Sequence, residues 1–283
     1  MNFIEVKSLT KTFGNVTALK NINLKFEGNK IYGLLGRNGA GKTTLLNIIN
    51  NRIFPDSGEV LIDGVTAFEN DYAQRNVYLM SEKNYYPLTM KVNNVFKWTN
   101  EFYPLFDMDY AKELTAKFGL NPAKKVKELS TGYNSIFKII IALSVNTPYI
   151  LLDEPVLGLD ANHRAIFYKT LIENYNANPK TIIISTHLID EVANVLEDII
   201  IINQGEILKN ESCEQLLTQG YTVTGSTTTI NSFIADKNTI GYDTLGGLKT
   251  AYIYGSVDKS ELPTGVEISK LDLQRLFIQL TNS

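Results

Sequence analysis

The chain has 283 residues, of which 44% are hydrophobic and 20% charged, a composition typical of a globular protein of about two domains. Its 27 basic and 30 acidic residues leave a net charge of −3, which argues against nucleic acid as a partner, while one cysteine excludes internal disulfides and Cys-rich metal sites. Without a secretory signal or an apolar run of roughly 18 residues, it is expected to be cytoplasmic and not to insert into a membrane.

Two segments near the N-terminus, residues 3–9 and 19–26, have the pattern of antiparallel strands, with Phe13 between them. From there to about residue 217, short apolar runs alternate with longer helical stretches. Runs that are apolar on both faces predict an α/β fold, in which helices cover both sides of a parallel sheet. These runs are Ile31–Leu35, Tyr149–Leu152, Thr181–Ile184 and Ile199–Ile202.

The segment Gly36-Arg37-Asn38-Gly39-Ala40-Gly41-Lys42-Thr43 matches the phosphate-loop pattern G-x-x-x-x-G-K-[ST], after a predicted strand and before a predicted helix. Glycines there let successive backbone N–H groups converge on one anion at the start of the helix. Lys42 supplies a charge for the β- and γ-phosphates, and Thr43 a hydroxyl for Mg²⁺. The sequence therefore predicts a site for ATP and Mg²⁺. Its nucleotide-binding residues are predicted to be Gly36, Asn38, Gly39, Ala40, Gly41, Lys42, Thr43 and Thr44.

The middle of the chain, roughly residues 85–143, is predicted to be mostly helical and is rich in aromatic side chains. We expect most of these aromatic residues to fill the core of the helical part. Tyr85 and Tyr86 are the better candidates for exposure and for contact with a helix of a partner protein. The aromatic set consists of Tyr85, Tyr86, Phe96, Trp98, Phe102, Tyr103 and Phe106.

Two adjacent carboxylates, Asp153 and Glu154, follow the second of the apolar runs. They lie at the carboxyl end of a predicted strand, where open α/β sheets bind their ligands. Beside a phosphate loop, Asp153 is predicted to hold Mg²⁺ through water. Glu154 is predicted to accept the proton of the water that attacks the γ-phosphate.

From about Tyr221 the sequence becomes richer in threonine and glycine and contains short alternating runs such as Tyr252-Ile253-Tyr254. We interpret residues 1–220 as one domain and residues 221–283 as a small α+β accessory or dimerisation domain. The last residues have the spacing of an amphipathic helix, which either packs on its own domain or pairs with another copy. Its apolar positions are Leu271, Leu273, Leu276, Phe277 and Leu280.

In order and spacing, the motifs resemble the nucleotide-binding subunit of ATP-binding-cassette (ABC) transporters, over about residues 3–217. Leu129-Ser130-Thr131-Gly132-Tyr133 is similar to the family signature, and Gly158-Leu159-Asp160 is similar to its D-loop. The resemblance implies a P-loop NTPase with a RecA-like parallel sheet core, an N-terminal antiparallel β subdomain and an inserted helical subdomain at about residues 83–145.

The resemblance also implies that two ATP molecules are held between two head-to-tail ATPase subunits, either identical or paralogous. Ser130 and Gly132 would face the γ-phosphate bound by the second subunit, and Asp160 would couple the two sites. His187, at the end of the third apolar run, would contact the γ-phosphate and hold Glu154 in line. Phe13 would stack on adenine.

Two of the motifs depart from the family pattern. The glutamine that usually links Mg²⁺ to the membrane subunit is replaced, and we assign its role to Ser81 or Glu82. Either side chain brings an oxygen to the ion. In the signature, Thr131 and Tyr133 stand where glycine and glutamine are common, so ATP-driven closure is expected to be weaker than with a consensus signature.

These features predict an ATPase, with Glu154, His187 and Lys42 as catalytic residues, that is peripheral on the inner face of the membrane through a transmembrane permease. The single cassette and the run Leu157–Arg164 resemble exporters of the ABC-2 kind, including those for phenol-soluble modulins. The alternative is a non-transport ABC ATPase, either regulatory or an ATP-driven dimerising module. A chromosome-organising ATPase would need a long coiled coil, and a ribosome-acting protein usually carries two cassettes.

Overall fold

The structure is a computed structural model that describes residues 2–282. Numbered in chain order, its strands are β1 (Phe3–Phe13), β2 (Val16–Glu27), β3 (Ile31–Leu35), β4 (Ser57–Ile62), β5 (Val65–Thr66), β6 (Val77–Met80), β7 (Tyr149–Asp153), β8 (Thr181–Thr186), β9 (Asp198–Asn203), β10 (Glu206–Ser212), β11 (Gly220–Ser226), β12 (Thr239–Leu245), β13 (Leu248–Tyr254) and β14 (Glu267–Lys270).

The helices, numbered in the same way, lie between and after these strands. They are α1 (Lys42–Ile49), α2 (Asp71–Gln74), α3 (Val92–Phe102), α4 (Met108–Lys117), α5 (Thr131–Ser144), α6 (Ala161–Ala177), α7 (Ile189–Val192), α8 (Cys213–Thr218), α9 (Thr227–Phe233) and α10 (Leu273–Thr281). Short 3₁₀ turns occupy Val126–Glu128, Ala193–Val195 and Lys259–Glu261. No helix within residues 2–282 is both long and apolar enough to span a bilayer.

The central sheet has six strands in the order β10-β9-β3-β8-β7-β6, all parallel except β10. Every residue of β3, β7 and β8 is buried, which explains why these strands are apolar runs in the sequence. An antiparallel sheet in the order β2-β1-β4-β5 lies beside it. The predicted α/β fold with an N-terminal antiparallel sheet is therefore confirmed.

Alternate residues of each central strand face two different cores. In β7, Tyr149 and Leu151 pack with the N-terminal sheet and α1, whereas Ile150 and Leu152 pack with the helices on the other side. The carboxyl ends of the parallel strands meet at one edge of this layered structure. The loops that bind ligands in such sheets follow at that edge.

The helical middle of the chain comprises α3, α4 and α5, and its aromatic residues divide into two groups. Phe96 and Phe106 are buried as expected, but Trp98 and Phe102 are 56% and 70% exposed, contrary to the expectation for core residues. Tyr85 is 61% exposed. The prediction of exposure is wrong for Tyr86, which is half-buried because its ring packs on Phe137 with centroids 5.0 Å apart.

The C-terminal segment forms a third sheet, in the order β12-β13-β11-β14, and the predicted boundary at residue 220 falls at the start of β11. One side of this sheet packs with α9 around Val223 and Ile230. Tyr252 and Tyr254 of β13 instead join the main core together with α10. The buried face of the terminal helix therefore packs within its own chain, against α7 as well as against β12.

Candidate functional site: a phosphate loop at the carboxyl edge of the central sheet

The predicted phosphate loop joins β3 to α1 and can be built only with glycine at Gly41. This residue has φ 112°, and a Cβ there would lie 2.6 Å from the carbonyl oxygen of Ala18. The ammonium of the buried Lys42 donates to the carbonyl oxygens of Gly36 at 2.6 Å and Arg37 at 3.3 Å. The loop therefore encloses a positive charge at the N-terminus of a helix, which is an arrangement that binds phosphate.

Asp153 ends β7 and is buried next to this loop. The hydroxyl of Thr43 donates to its Oδ1 over 3.1 Å. Burial raises the pKa of Asp153, an effect that the hydrogen bond from Thr43 opposes. A hydroxyl and a carboxylate side by side are an all-oxygen donor set that fits Mg²⁺. Within residues 2–282, no three His, Cys, Asp or Glu side chains form a metal cluster.

Glu154 follows directly and has a left-handed backbone, with φ 49°. Such a conformation costs a non-glycine residue free energy and is found where the surrounding structure requires it, often at active sites. Both carboxylate oxygens of Glu154 lie 3.0 Å from Nδ1 of His187, which follows β8. The strained backbone therefore places this carboxylate against the imidazole of His187.

Lys42 connects the loop to this pair, since its Nζ lies 3.9 Å from Oε1 of Glu154. Burial lowers the pKa of Lys42, while the charges of Glu154 and Asp153 act in the opposite direction. Together these groups line a cavity of about 360 Å³. Its lining residues are Ala18, Asn38, Gly39, Ala40, Gly41, Lys42, Thr43, Thr44, Glu82, Glu154, Leu157 and His187.

Ser81 and Glu82, the two candidates for the role of the missing glutamine, differ in position and burial. Glu82 is exposed and lines the cavity. Ser81 is buried, and its hydroxyl accepts a hydrogen bond from Arg52 over 2.9 Å. Glu82 is therefore the side chain whose carboxylate faces the cavity.

Seven of the predicted site residues do not line this cavity: Gly36, Asp153 and Ser81, which lie close to its lining residues in the chain, and four others. Ser130 caps the N-terminus of α5, where its hydroxyl accepts from the N–H of Tyr133 over 3.3 Å. A Cβ on Gly132 would lie 2.6 Å from the carbonyl oxygen of Gly158, so the signature packs closely on the D-loop of its own chain. The remaining two are Asp160, which caps α6, and Phe13, which is 47% exposed at the end of β1.

A larger groove of about 850 Å³ opens beside α3. Its lining includes the half-buried Tyr86, the exposed Trp98 and Phe102, and the acidic residues Asp71 and Glu101. The segment after β6 reaches both the groove and the smaller cavity, because Glu82 lines one and Tyr86 the other. The two concave sites are thus connected by five residues of chain.

The sequence interpretation missed four residues around these sites: Ala18, Leu157, Arg52 and Lys138. Ala18 and Leu157 line the cavity but carry no motif of their own. Lys138 gives a signal that could have been read, because it interrupts the apolar run between Ile136 and Leu143 in a helix that is otherwise buried there. Such a lysine needs a buried acceptor.

Residues 19–157 match the family described as ABC transporter. The chain is 33% identical over 189 residues to the ABC transporter ATP-binding protein YtrB of Bacillus subtilis (strain 168), a match that covers 67% of this chain and 65% of YtrB.

Two further proteins match over most of their own length. The tungstate uptake system ATP-binding protein TupC of Peptoclostridium acidaminophilum is 30% identical over 216 residues, which cover 72% of this chain and 96% of TupC. The solved dimeric structure of the ATP-binding cassette MJ0796 bound to ADP and Pi, a post-hydrolysis state, aligns with TM-score 0.64 and 28% identity. That alignment covers 74% of this chain and 98% of the cassette.

Proposed function

The chain belongs to the ATP-binding proteins of ABC transporters, a family of ATPases that use ATP with Mg²⁺, and we propose that it hydrolyses ATP with Glu154 as general base. The observation that carries this proposal is the position of the Glu154 carboxylate, 3.0 Å from His187 and 3.9 Å from Lys42 in the phosphate-loop cavity. A carboxylate placed there meets a water that attacks the γ-phosphate in line.

Each group around the cavity has a part in this mechanism. The backbone N–H groups of the loop and the Lys42 ammonium bind the β- and γ-phosphates and offset their charge. Glu154 accepts the proton of the attacking water, and His187 orients the carboxylate. Thr43 and Asp153, with Glu82 nearby, would hold Mg²⁺, which would supply positive charge to offset the negative charge of the phosphates.

A second ATPase subunit completes the site in this proposal. Ser130 and Gly132 lie outside the cavity of their own chain, so they are free to close over the nucleotide of a head-to-tail partner.

Thr131 is exposed at the tip of α5, with Cγ2 toward Gly158. The change Thr131→Gly is therefore expected to strengthen ATP-driven dimerisation, measured by size-exclusion chromatography in the Glu154→Gln background.

Steady-state ATPase assays test the catalytic assignment. Lys42→Ala is expected to remove nucleotide binding and activity, and Glu154→Gln to retain ATP binding but slow hydrolysis by about 10²–10⁴-fold. A matched control is Glu173→Gln, which neutralises an exposed carboxylate of α6 that pairs with Lys117 at 2.9 Å, away from the cavity. Wild-type turnover in both Lys42→Ala and Glu154→Gln would refute the assignment.

We propose further that the groove beside α3 binds a cytoplasmic helix of a transmembrane permease, which would hold the ATPase at the inner face of the membrane. The exposed Trp98 and Phe102 support this, because large apolar side chains in a concave site mark an interaction surface.

Trp98→Ala and Phe102→Ala are expected to abolish co-purification with the permease. Leu245→Ala, an 85% exposed position on β12, is the control. Unchanged co-purification in the groove variants would refute this site.

The direction of transport and the cargo belong to the same proposal. TupC is, by its name, part of an uptake system, whereas the run Leu157–Arg164 and residues 221–283 resemble exporters of the ABC-2 kind. We propose export of amphipathic peptides or antimicrobials, with residues 1–220 as the motor and residues 221–283 as an accessory domain. ATP-dependent accumulation of a labelled peptide in inside-out vesicles tests export, and its absence there would contradict it.

A further inference from the structure

The segment from Ser81 to Tyr86, which we call the linking loop, lies between the phosphate-loop cavity and the groove beside α3. Glu82 lines the cavity and Tyr86 lines the groove. A loop transmits movement between two sites only if its backbone is held, because a free loop absorbs the movement itself. The side chains that hold this loop therefore determine whether a movement at the cavity reaches the groove.

Lys138 holds the loop from the side of α5. Its side chain is buried, with 6% exposed, and its Nζ donates to the carbonyl oxygens of Ser81 and Glu82, each over 2.8 Å. An ammonium is costly to bury unless its donors are paired, and both of these acceptors belong to the loop. Burial lowers the pKa of Lys138, opposed by the charges of Glu82 and Asp153. Since α5 begins after Ser130, this contact ties the linking loop to the signature helix.

Arg52 holds the same loop from the opposite side. It follows α1, the helix of the phosphate loop, and its Nη1 donates to Oγ of Ser81 over 2.9 Å. Its guanidinium also lies over the ring of Tyr85, 4.6 Å from the centroid, within the range of a cation–π contact. One exposed arginine therefore connects the phosphate-loop helix to both the buried and the exposed parts of the linking loop.

The far end of the loop is fixed to the wall of the groove. The hydroxyl of Tyr86 lies 2.6 Å from the hydroxyl of Tyr78, and its ring packs against Phe137 of α5. Phe137 is the neighbour of Lys138 in the chain. A shift of α5 would therefore act on both ends of the loop at once.

We propose that Arg52 and Lys138 are positioning residues that clamp the linking loop, so that nucleotide and Mg²⁺ at the Glu82 end change the groove at the Tyr86 end. The inference rests on the proposed function, because it assigns a coupling role within the same two sites. Neither side chain touches the reacting atoms. Their effect is expected on communication between the sites more than on nucleotide affinity.

The single tryptophan of the chain, Trp98, lines the groove and serves as the reporter. The full chain is titrated with Mg²⁺ and a non-hydrolysable ATP analogue, while Trp98 emission is followed by fluorescence and analogue affinity by calorimetry. The wild type is expected to show a shift in emission on binding. Arg52→Gln and Lys138→Met are expected to bind the analogue but to lose most of that shift.

Lys180→Met is the matched control, because Lys180 is also buried, with 3% exposed, but its Nζ contacts Asn146. It is expected to retain the full shift.

A full shift in Arg52→Gln and Lys138→Met, or no shift in a wild type that binds the analogue, overturns the clamp. If Lys138→Met does not fold, Arg52→Gln decides the question alone, since Arg52 is exposed. A wild type that binds no analogue overturns the proposed function itself, and the clamp with it.

Discussion

The two ends of the central sheet each bury a lysine, and the two lysines differ in what surrounds them. At the carboxyl end, Lys42 meets two backbone carbonyl oxygens and lies 3.9 Å from Glu154. At the amino end, Lys180 precedes β8, and its Nζ donates to Oδ1 of the neutral Asn146 over 3.2 Å. Burial lowers the pKa of Lys180 to about 8. A buried charge therefore does not by itself mark a functional site. The carboxylates and the phosphate loop around Lys42 do so.

The largest expected effect separates the two ends directly. Lys42→Met keeps the length of the side chain but removes the charge for the phosphates, so ATP hydrolysis is expected to fall to background. Lys180→Met is expected to retain wild-type turnover. Parallel assays of ATP hydrolysis measure both, and equal losses in the two variants would contradict the distinction between the ends.

The second prediction concerns α10, which packs on α7 just after His187 and so covers the carboxyl end. Leu276 of α10 is fully buried in the main core. Leu276→Ala is expected to lower the free energy of unfolding by about 2–5 kcal/mol, because it leaves a cavity. Urea denaturation measures this loss.

Ile278 on the same helix provides the control for this prediction, since it is 40% exposed. Ile278→Ala is expected to change stability by no more than about 0.5 kcal/mol. If Leu276→Ala proved equally mild, the C-terminal segment would not be part of the main core, and the carboxyl end would not depend on it.

Residues that belong to local motifs could be predicted from the sequence, whereas contacts between residues far apart in the chain could not. The phosphate loop and the pair Asp153 and Glu154 were predictable, because each combines a local motif with an apolar strand next to it. Lys138 within an apolar run does indicate a buried acceptor, but the partners in the clamp were not predictable, because Ser81 lies 29 positions from Arg52 and 57 from Lys138 in the chain. Contacts of that separation are set by packing and leave no local pattern.

The aromatic residues of α3 show that helical periodicity does not by itself decide which side chains are buried. Buried positions Val92, Val95, Phe96 and Thr99 have the spacing i, i+3, i+4, i+7 of one helix face. Val95, Trp98, Thr99 and Phe102 have the same spacing, so periodicity alone does not predict that Trp98 and Phe102 are exposed. The partial burial of Tyr86 is not predictable from a local pattern either, because it depends on Phe137 and Tyr78 from other elements.

The third prediction concerns Lys180, at the amino end of the central sheet. Below pH 8 the folded chain buries the charged Lys180, whereas unfolding releases it to its ordinary pKa of 10.5. Lys180→Met is therefore expected to raise the free energy of unfolding at pH 7 by an amount on the order of 1–3 kcal/mol. The advantage should shrink as pH rises from about 8 to 10.5, because the wild type then loses its buried charge. Denaturation curves across this range measure it, and a pH-independent difference would contradict the cause.

The smallest expected effect is that of a substitution at Asn282, the residue after α10. Nη1 of Arg37 donates to Oδ1 of Asn282 over 3.1 Å, which connects the phosphate loop to the end of α10. Because this hydrogen bond is exposed, Asn282→Ala is expected to change the free energy of unfolding by no more than about 0.5 kcal/mol. Urea denaturation beside Leu276→Ala measures the difference. A loss as large as that of Leu276→Ala would mean that the polar contact, rather than the buried face of α10, fixes the C-terminal segment on the nucleotide end of the sheet.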